Sequence, residues 1–346
     1  MTRLMLVLVL IASLAMPVSA EEITAPTVPE SGRDLMPEDG TSFGEGLWQI
    51  VCRGFAKIRP DIAEGAKVSL SVISAVVLLS ILSAFPGMTE KSGDLVGAVC
   101  IAGLLLGSTN SLIRLGSNTV EEMSHYGKLL LPVMTTALAA QGGLTTSASL
   151  YVGTAAFDAF LSGLIASVLV PMVYLYLALA AANAAIGDDL LKKLRDFLKW
   201  LMTWMLKTIL YVFTGYMGIT GVVSGTTDAA ALKAAKLTIS GVVPVVGGIL
   251  SDASEAVLVS AGVVKNAAGI YGIFAVLALI AEPFLRIGVH YLILKLTSSV
   301  CGIFGSKRIT ELVGDFTTIM GFILAMTGTV CLLILISTVC FLRGVG

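Results

Sequence analysis

Long apolar runs dominate this chain of 346 residues and decide what it can fold into. They cover residues 68–85, 95–113, 150–186, 201–223 and 316–342. A helix needs about 20 apolar residues to cross the hydrocarbon core of a bilayer. Charged residues make up only 13% of the chain, against about 25% in soluble proteins. The sequence therefore predicts an all-α protein, a polytopic transmembrane helical bundle of about five to seven crossings.

The amino-terminal region is predicted to divide into a signal peptide and an extracytoplasmic segment. Arg3 precedes an apolar run over 4–16, and small residues lead up to Ala20, as in a secretory signal peptide. Residues 21–44 are rich in proline and acidic side chains, which predicts a disordered linker. The predicted parts are the signal peptide 1–20, the extracytoplasmic linker and amphipathic helix 21–66, and the membrane domain 67–346.

An amphipathic helix is predicted to follow the linker. From Leu47 onward, apolar residues recur with the i, i+3, i+4, i+7 spacing of one helix face: Ile50, Val51, Phe55 and Ile58. Such a helix either lies in the lipid headgroup layer or packs on the membrane domain. The sequence leaves both alternatives open.

Two apolar segments contain a proline, which removes a backbone hydrogen-bond donor. Residues 129–140 are short and contain Pro132, so they are predicted to be interfacial or re-entrant. Residues 150–186 contain Pro171 and are too long for one crossing. They form either one long kinked helix or two tightly joined helices.

A basic amphipathic helix is predicted over 188–199, just after Gly187 ends the preceding helix. Its lysines and arginine alternate with leucines and Phe197. Basic residues in short loops mark the cytoplasmic face, so this helix and a second basic cluster of Lys295, Lys307 and Arg308 are predicted to be cytoplasmic. The side of the carboxyl terminus stays open.

The segment from 226 to 272 predicts two half-length helices joined by a broken or re-entrant link. Pro244 lacks a backbone donor, and the glycine pair that follows loosens the chain. An acidic cap then starts a helix of about thirteen residues. Irregular backbone at membrane depth must be covered by protein or line a water-filled cavity. The candidate conduit residues are Pro244, Gly247, Gly248, Asp252, Glu255, Lys265 and Asn266.

Three charged residues lie within apolar surroundings and are candidate functional charges: Asp158, Glu282 and Arg286. Glu282 and Arg286 are four residues apart, on one helix face, and charges in a membrane are costly unless paired. They either form a structural ion pair in the bundle or line a water-filled path. Asp158 either snorkels, has an unseen partner or relays protons.

Small residues recur at helical spacing, which lets helix backbones approach closely in a membrane. The prediction is that these faces pack the protein against itself, with contacts between subunits as the alternative. The residues are Gly103, Gly107, Ala155, Ala159, Gly163, Ser167, Gly215, Gly218, Gly221 and Gly225.

The sequence contains no motif that predicts an enzyme, a cofactor or a metal site. It lacks GxxxxGK[ST], HExxH, GxGD and GxSG motifs, and its two histidines, His125 and His290, are far apart. A net charge of −1 excludes nucleic acid as a partner. Three classes remain: a non-enzymatic subunit of a membrane assembly, a stand-alone secondary transporter of a small solute that uses the three charges, or a passive scaffold.

Four stretches resemble one known family: GVVSGTTDAAALKAAK at 221–236, VVPVVGG at 242–248, SDASE at 251–255 and VVKNAAG at 263–269. They are similar to the stage III sporulation protein AE family of endospore-forming bacteria. The resemblance implies a mother-cell membrane protein around the engulfed forespore. It also implies a channel-like complex with the other stage III A proteins and the forespore stage II Q protein, required for late forespore development. The family supplies no catalytic residues, and self-association stays open.

Overall fold

A computed structural model of the chain describes residues 26–38, 40–83, 90–242 and 247–343, and for 90–91, 221–265 and 343 the backbone alone. Within these residues every regular element is helical, which confirms the predicted all-α fold. The helices are α1 (Glu30–Arg33), α2 (Phe43–Lys57), α3 (Arg59–Ser83), α4 (Glu90–Ala140), α5 (Leu144–Leu164), α6 (Val170–Ile186), α7 (Asp189–Val242), α8 (Gly247–Phe304) and α9 (Lys307–Arg343). A π-helical turn, Ile165–Leu169, joins α5 to α6.

Five stretches of the described chain are long and apolar enough to cross a membrane, which confirms the prediction of a multi-pass protein. They are Arg59–Ser83, Ser92–Ala140, Leu144–Ile186, Asn266–Phe304 and Lys307–Leu342. The apolar run 201–223 lies within α7, but the side chains from 221 onward are outside the described part. A crossing by α7 therefore stays a prediction.

Helix α9 lies at the centre of the bundle and packs against α8, α4, α7, α6 and α5. Its buried residues recur every three or four positions, as one helix face requires: Val313, Phe316, Met320, Ile323 and Val330. Close packing of such side chains holds membrane helices together, because lipid is as apolar as leucine.

The linker predicted to be disordered is folded over residues 26–38. Val28 is 4% exposed and Leu35 only 1% exposed. Gly32 lies directly against Leu279 of α8, and the Ser31 hydroxyl donates to Glu122 of α4 at 2.7 Å. The prediction was wrong here because a few well-placed apolar residues suffice when a helical surface is already present to receive them. Residues 1–25, including the predicted signal peptide, lie outside the described chain.

Helix α2 begins with a capping box, in which Ser42 and Glu45 satisfy each other's free backbone donors. One face, with Gly46, Ile50 and Gly54, is buried against α8. A second face leaves Trp48 68% and Phe55 48% exposed. Packing on the membrane domain is therefore confirmed, and a separate apolar face remains open to lipid.

The two prolines do not interrupt the chain. Residues 129–140, predicted to be interfacial or re-entrant, instead continue α4 through Pro132. Leu130 and Met134 are almost fully buried, so tertiary packing holds the helix together around the missing donor. At Pro171 the chain also stays helical, and the π-helical turn just before it absorbs the lost hydrogen bond. The alternative of one long helix is therefore the observed one.

Helix α6 ends and α7 begins as predicted. Gly187 adopts a left-handed conformation with φ 73°, and Leu190 N–H donates to Asp188 Oδ1 at 2.8 Å. Leu190 is 70% exposed, whereas Arg195 is only 6% exposed. Arg195 turns inward, where it has a carboxylate partner, while Lys193 and Lys199 of the same helix stay exposed.

Most glycines of the predicted small-residue faces do not pack against the described part of the chain. Carbon atoms added at Gly103, Gly107, Gly163, Gly215 and Gly218 would meet nothing within 4 Å. Helices approach closely instead at other glycines, such as Gly153 against Tyr216. Ala155 does pack against the core, and the side-chain positions of 221 and 225 are outside the described part. The prediction of self-packing was wrong for these five glycines.

Candidate functional site

Asp158 on α5 is buried inside the bundle, at 3% exposure. The Ser124 hydroxyl of α4 donates to its Oδ2 at 2.6 Å, while Oδ1 has no hydrogen-bond partner. The position excludes snorkelling, since the side chain is enclosed by α4, α5 and α9. Ser124 is therefore the hydrogen-bond partner of Asp158, whose identity could not be predicted from the sequence.

Glu282 and Arg286 do not pair with each other in the structure. Glu282 accepts from Lys57 at 2.8 Å, and Arg286 donates to Asp61 at 2.7 Å. Helix α8 supplies the anion of one ion pair and the cation of the other, and the two pairs lie one helical turn apart. This arrangement fixes the register between α8 and the junction of α2 and α3. The hydrogen bond to Glu282 raises the pKa of the Lys57 ammonium above its ordinary value. The Lys57 ammonium therefore remains charged throughout the neutral pH range.

The pair of Asp61 and Arg286 is expected to contribute measurably to stability. Asp61 is 15% exposed and Arg286 37% exposed, so solvent screens the pair only in part. A double-mutant cycle with Asp61→Asn and Arg286→Gln, followed by thermal unfolding in detergent, should give a coupling of about 1 kcal/mol. The more exposed pair of Glu38 and Arg53 serves as the control and should give a smaller coupling. Equal coupling energies for the two ion pairs would contradict the prediction that burial strengthens the pair of Asp61 and Arg286.

Most of the candidate conduit residues have no described side chain. Pro244 is not described, and of Asp252, Glu255 and Lys265 only the backbone is. Helix α8 begins at Gly247 and continues through the exposed Asn266 to Phe304. The predicted half-helix of thirteen residues is therefore part of a helix of 58 residues. A broken link at 243–246 stays a prediction.

The structure contains a buried charge cluster that the sequence analysis missed. Arg195 of α7 donates to Asp315 of α9 at 2.7 Å, and the Tyr176 hydroxyl of α6 donates to the other carboxylate oxygen, also at 2.7 Å. The two charged side chains are 8% and 10% exposed. A lone aspartate at the edge of the apolar run 316–342 was the available signal. The cluster ties three helices together.

A second missed cluster lies at the same end of the bundle. Asp94 of α4 is 4% exposed, accepts from the Ser306 hydroxyl at 2.6 Å and pairs with Arg308 at 3.2 Å. The Arg308 guanidinium lies against Gly187, where any side chain would collide with it. Both clusters neutralise their own charges, so they act in packing and leave no free reactive group.

Among the described residues, no three His, Cys, Asp or Glu side chains are close enough to hold a metal ion. Of the three predicted functional charges, Glu282 and Arg286 are neutralised by residues of α2 and α3, although Arg286 Nε has no hydrogen-bond partner. Asp158 has a buried carboxylate oxygen without a partner and, among the described residues, no ion-pair partner.

The fold and the buried charges define a multi-pass helical membrane protein. The chain matches the family Stage III sporulation protein AE over residues 38–344. It is 24% identical to Stage III sporulation protein AE of Bacillus subtilis (strain 168) over 233 residues, which is 67% of this chain and 58% of that relative. No solved structure matches the chain. The chain belongs to the stage III sporulation protein AE family.

Proposed function

We propose that the protein is a non-enzymatic subunit of a channel-like membrane complex between mother cell and forespore. In this proposal it resides in the mother-cell membrane around the forespore, and its partners are the other stage III A proteins and the forespore stage II Q protein. It acts by association, as a membrane platform or conduit, and supports late forespore development. The family membership supports the sporulation role.

The observation that carries the proposal is the set of outward-facing glycines. Gly103 and Gly107 on α4, and Gly215 and Gly218 on α7, face open space. Small residues at such spacing allow close helix approach in membranes. Because no helix of the described chain covers them, these faces fit helices of another subunit.

The length of the helices supports the same conclusion. The stretch Leu144–Ile186 has 43 residues, about 60 Å at 1.5 Å per residue, twice the ~30 Å hydrocarbon core. Its exposed apolar residues extend from Leu144 to Ile186. Even a tilt of about 40° would not bring this length within a bilayer. Contact with other subunits would cover the apolar surface that extends beyond the hydrocarbon core.

A stand-alone transporter has less support. Glu282 and Arg286 are engaged in separate ion pairs, and the cavity beside Asp158 measures only ≈ 10 Å³. That volume holds about one water molecule and no organic solute. A solute path through these charges would need a different arrangement of α3, α5 and α8.

Deletion of the gene in its spore-forming host is expected to leave engulfment intact and to abolish late forespore transcription, measured with a fluorescent reporter. The wild-type gene should restore the reporter. The double variant Gly103→Leu and Gly107→Leu should fold, because both positions are open, but should fail to restore it and to co-purify with the complex. Leucine side chains on this face would hold neighbouring helices apart.

The matched control is Leu129→Phe, an exposed position on the same helix about six turns beyond Gly107. It should complement the deletion fully. Normal late transcription in the deletion strain would overturn the proposal. Solute uptake by the purified protein alone in liposomes would instead favour the transporter class.

A further inference from the structure

The buried carboxylate of Asp158 lacks a neutralising partner. Among the described residues, no lysine, arginine or histidine lies within ion-pair distance of it, and the Ser124 hydroxyl satisfies only Oδ2. An ionised carboxylate away from water is strongly destabilising unless a positive charge or several donors compensate it. Either protonation or a bound cation would neutralise this side chain.

A small cavity of ≈ 10 Å³ lies beside Asp158, between α4, α5 and α9. Its polar lining comes from Asp158 and the hydroxyls of Thr154, Ser337 and Thr338, all of them at least nine-tenths buried. Leu130, Met134 and Phe341 form part of its apolar wall. This volume accepts about one water-sized species.

The oxygen atoms around the cavity suit a hard cation. The hydroxyls of Thr154 and Ser337 are hydrogen-bonded to each other, one turn of α5 before Asp158. One hydroxyl donates to the other, so lone pairs on both oxygens remain available. The Thr338 hydroxyl donates to the Ile334 carbonyl at 2.8 Å, which leaves its lone pairs free as well.

We propose that Asp158, Thr154 and Ser337 bind one sodium ion, with Thr338 as an additional oxygen ligand. One carboxylate balances a single positive charge, whereas calcium and magnesium prefer several carboxylates or retained waters. The small volume favours sodium over the larger potassium ion. The ion would join α5 to the central helix α9 through the oxygens that line the cavity. This site is independent of the proposed role in a complex.

The test is thermal unfolding of the purified full-length protein in detergent, in sodium, potassium or choline chloride at equal ionic strength. A ligand that binds only the folded state raises the midpoint, here by about 2 °C or more at saturating sodium. Potassium and choline should give the lower midpoint. A direct measurement of radioactive sodium binding should give one ion per chain.

The variants separate a sodium site from a general salt effect. Asp158→Asn should lose the sodium-dependent rise, yet in choline be at least as stable as wild type, because it removes an unpaired charge. Thr154→Val should weaken the rise without removing the carboxylate. Thr327→Val is the control, since Thr327 is buried on α9 outside the cavity and its hydroxyl donates to its own helix.

Equal midpoints in the three salts would overturn the proposal and indicate a protonated carboxyl group. A sodium-dependent rise that persists in Asp158→Asn would also overturn it. The control variant should retain the full rise.

Discussion

Replacing Asp315 by alanine is expected to lower the stability of the protein by about 3–5 kcal/mol. The change removes the closest and most buried carboxylate, at 2.7 Å, from the Arg195 guanidinium, which is 8% exposed. The guanidinium keeps only the more exposed Asp196 at 3.1 Å and Glu311 at 4.0 Å. It also removes the acceptor of the Tyr176 hydroxyl. Thermal unfolding in detergent should show this as a large fall of the midpoint.

Asp196 provides a matched control for this prediction. It accepts from the same guanidinium at 3.1 Å but is 55% exposed, so Asp196→Ala should cost about 0–1 kcal/mol. A double replacement, Arg195→Met with Asp315→Leu, should recover most of the loss, because it removes both buried charges. Similar midpoints for Asp315→Ala and Asp196→Ala would show that burial does not strengthen the pair.

The membrane helices could be predicted from sequence because run length is a local property. Residues 68–83 of the first run lie within α3, the run 95–113 lies within α4, and the run 316–342 lies within α9. Gly187 also ended its helix as predicted, since a left-handed conformation there favours glycine. The continuation of a helix past a proline was harder to predict. Pro132 suggested an interruption, but the burial of its neighbours in α4 outweighs one lost hydrogen bond.

The partners of the charges could not be predicted because they come from distant parts of the chain. Glu282 and Arg286 are neighbours on one helix face, yet each pairs with a residue near the junction of α2 and α3. The pattern of 188–199 predicted that Arg195 lies on a basic amphipathic helix, but it could not identify the partner Asp315, which follows 120 residues later. Asp158 could be recognised from sequence as an isolated charge, but its cavity depends on the packing of three helices.

Whether a glycine lies at an internal helix contact or faces outward also depends on packing between distant parts of the chain. Gly153 and Gly163 lie on one helix, ten residues apart, in equally apolar surroundings. A carbon atom added at Gly153 would overlap Cε1 of Tyr216, whereas one at Gly163 would meet nothing within 4 Å. Only the positions of the neighbouring helices distinguish a glycine that closes an internal contact from one that faces outward.

Gly153→Leu is therefore expected to destabilise the bundle by about 3 kcal/mol, at the upper end of typical overpacking costs. An added Cβ would lie 2.7 Å from Cζ of Tyr216. The ring cannot easily move, because its hydroxyl donates to the Ser149 carbonyl at 3.1 Å and Phe157 packs against it at a centroid distance of 5.7 Å. Helix α7 would have to shift away from α5, and thermal unfolding in detergent should report the loss.

Gly163→Leu is the matched control on the same helix. It adds the same side chain in open space, and leucine favours helix by up to about 1 kcal/mol over glycine, so its midpoint should be unchanged or higher. If Gly153→Leu were as stable as Gly163→Leu, the close approach of α5 and α7 at Tyr216 would be contradicted. Loss of complex formation by Gly163→Leu at unchanged stability would instead identify the outward face of α5 as a subunit contact, because the change leaves the internal packing untouched.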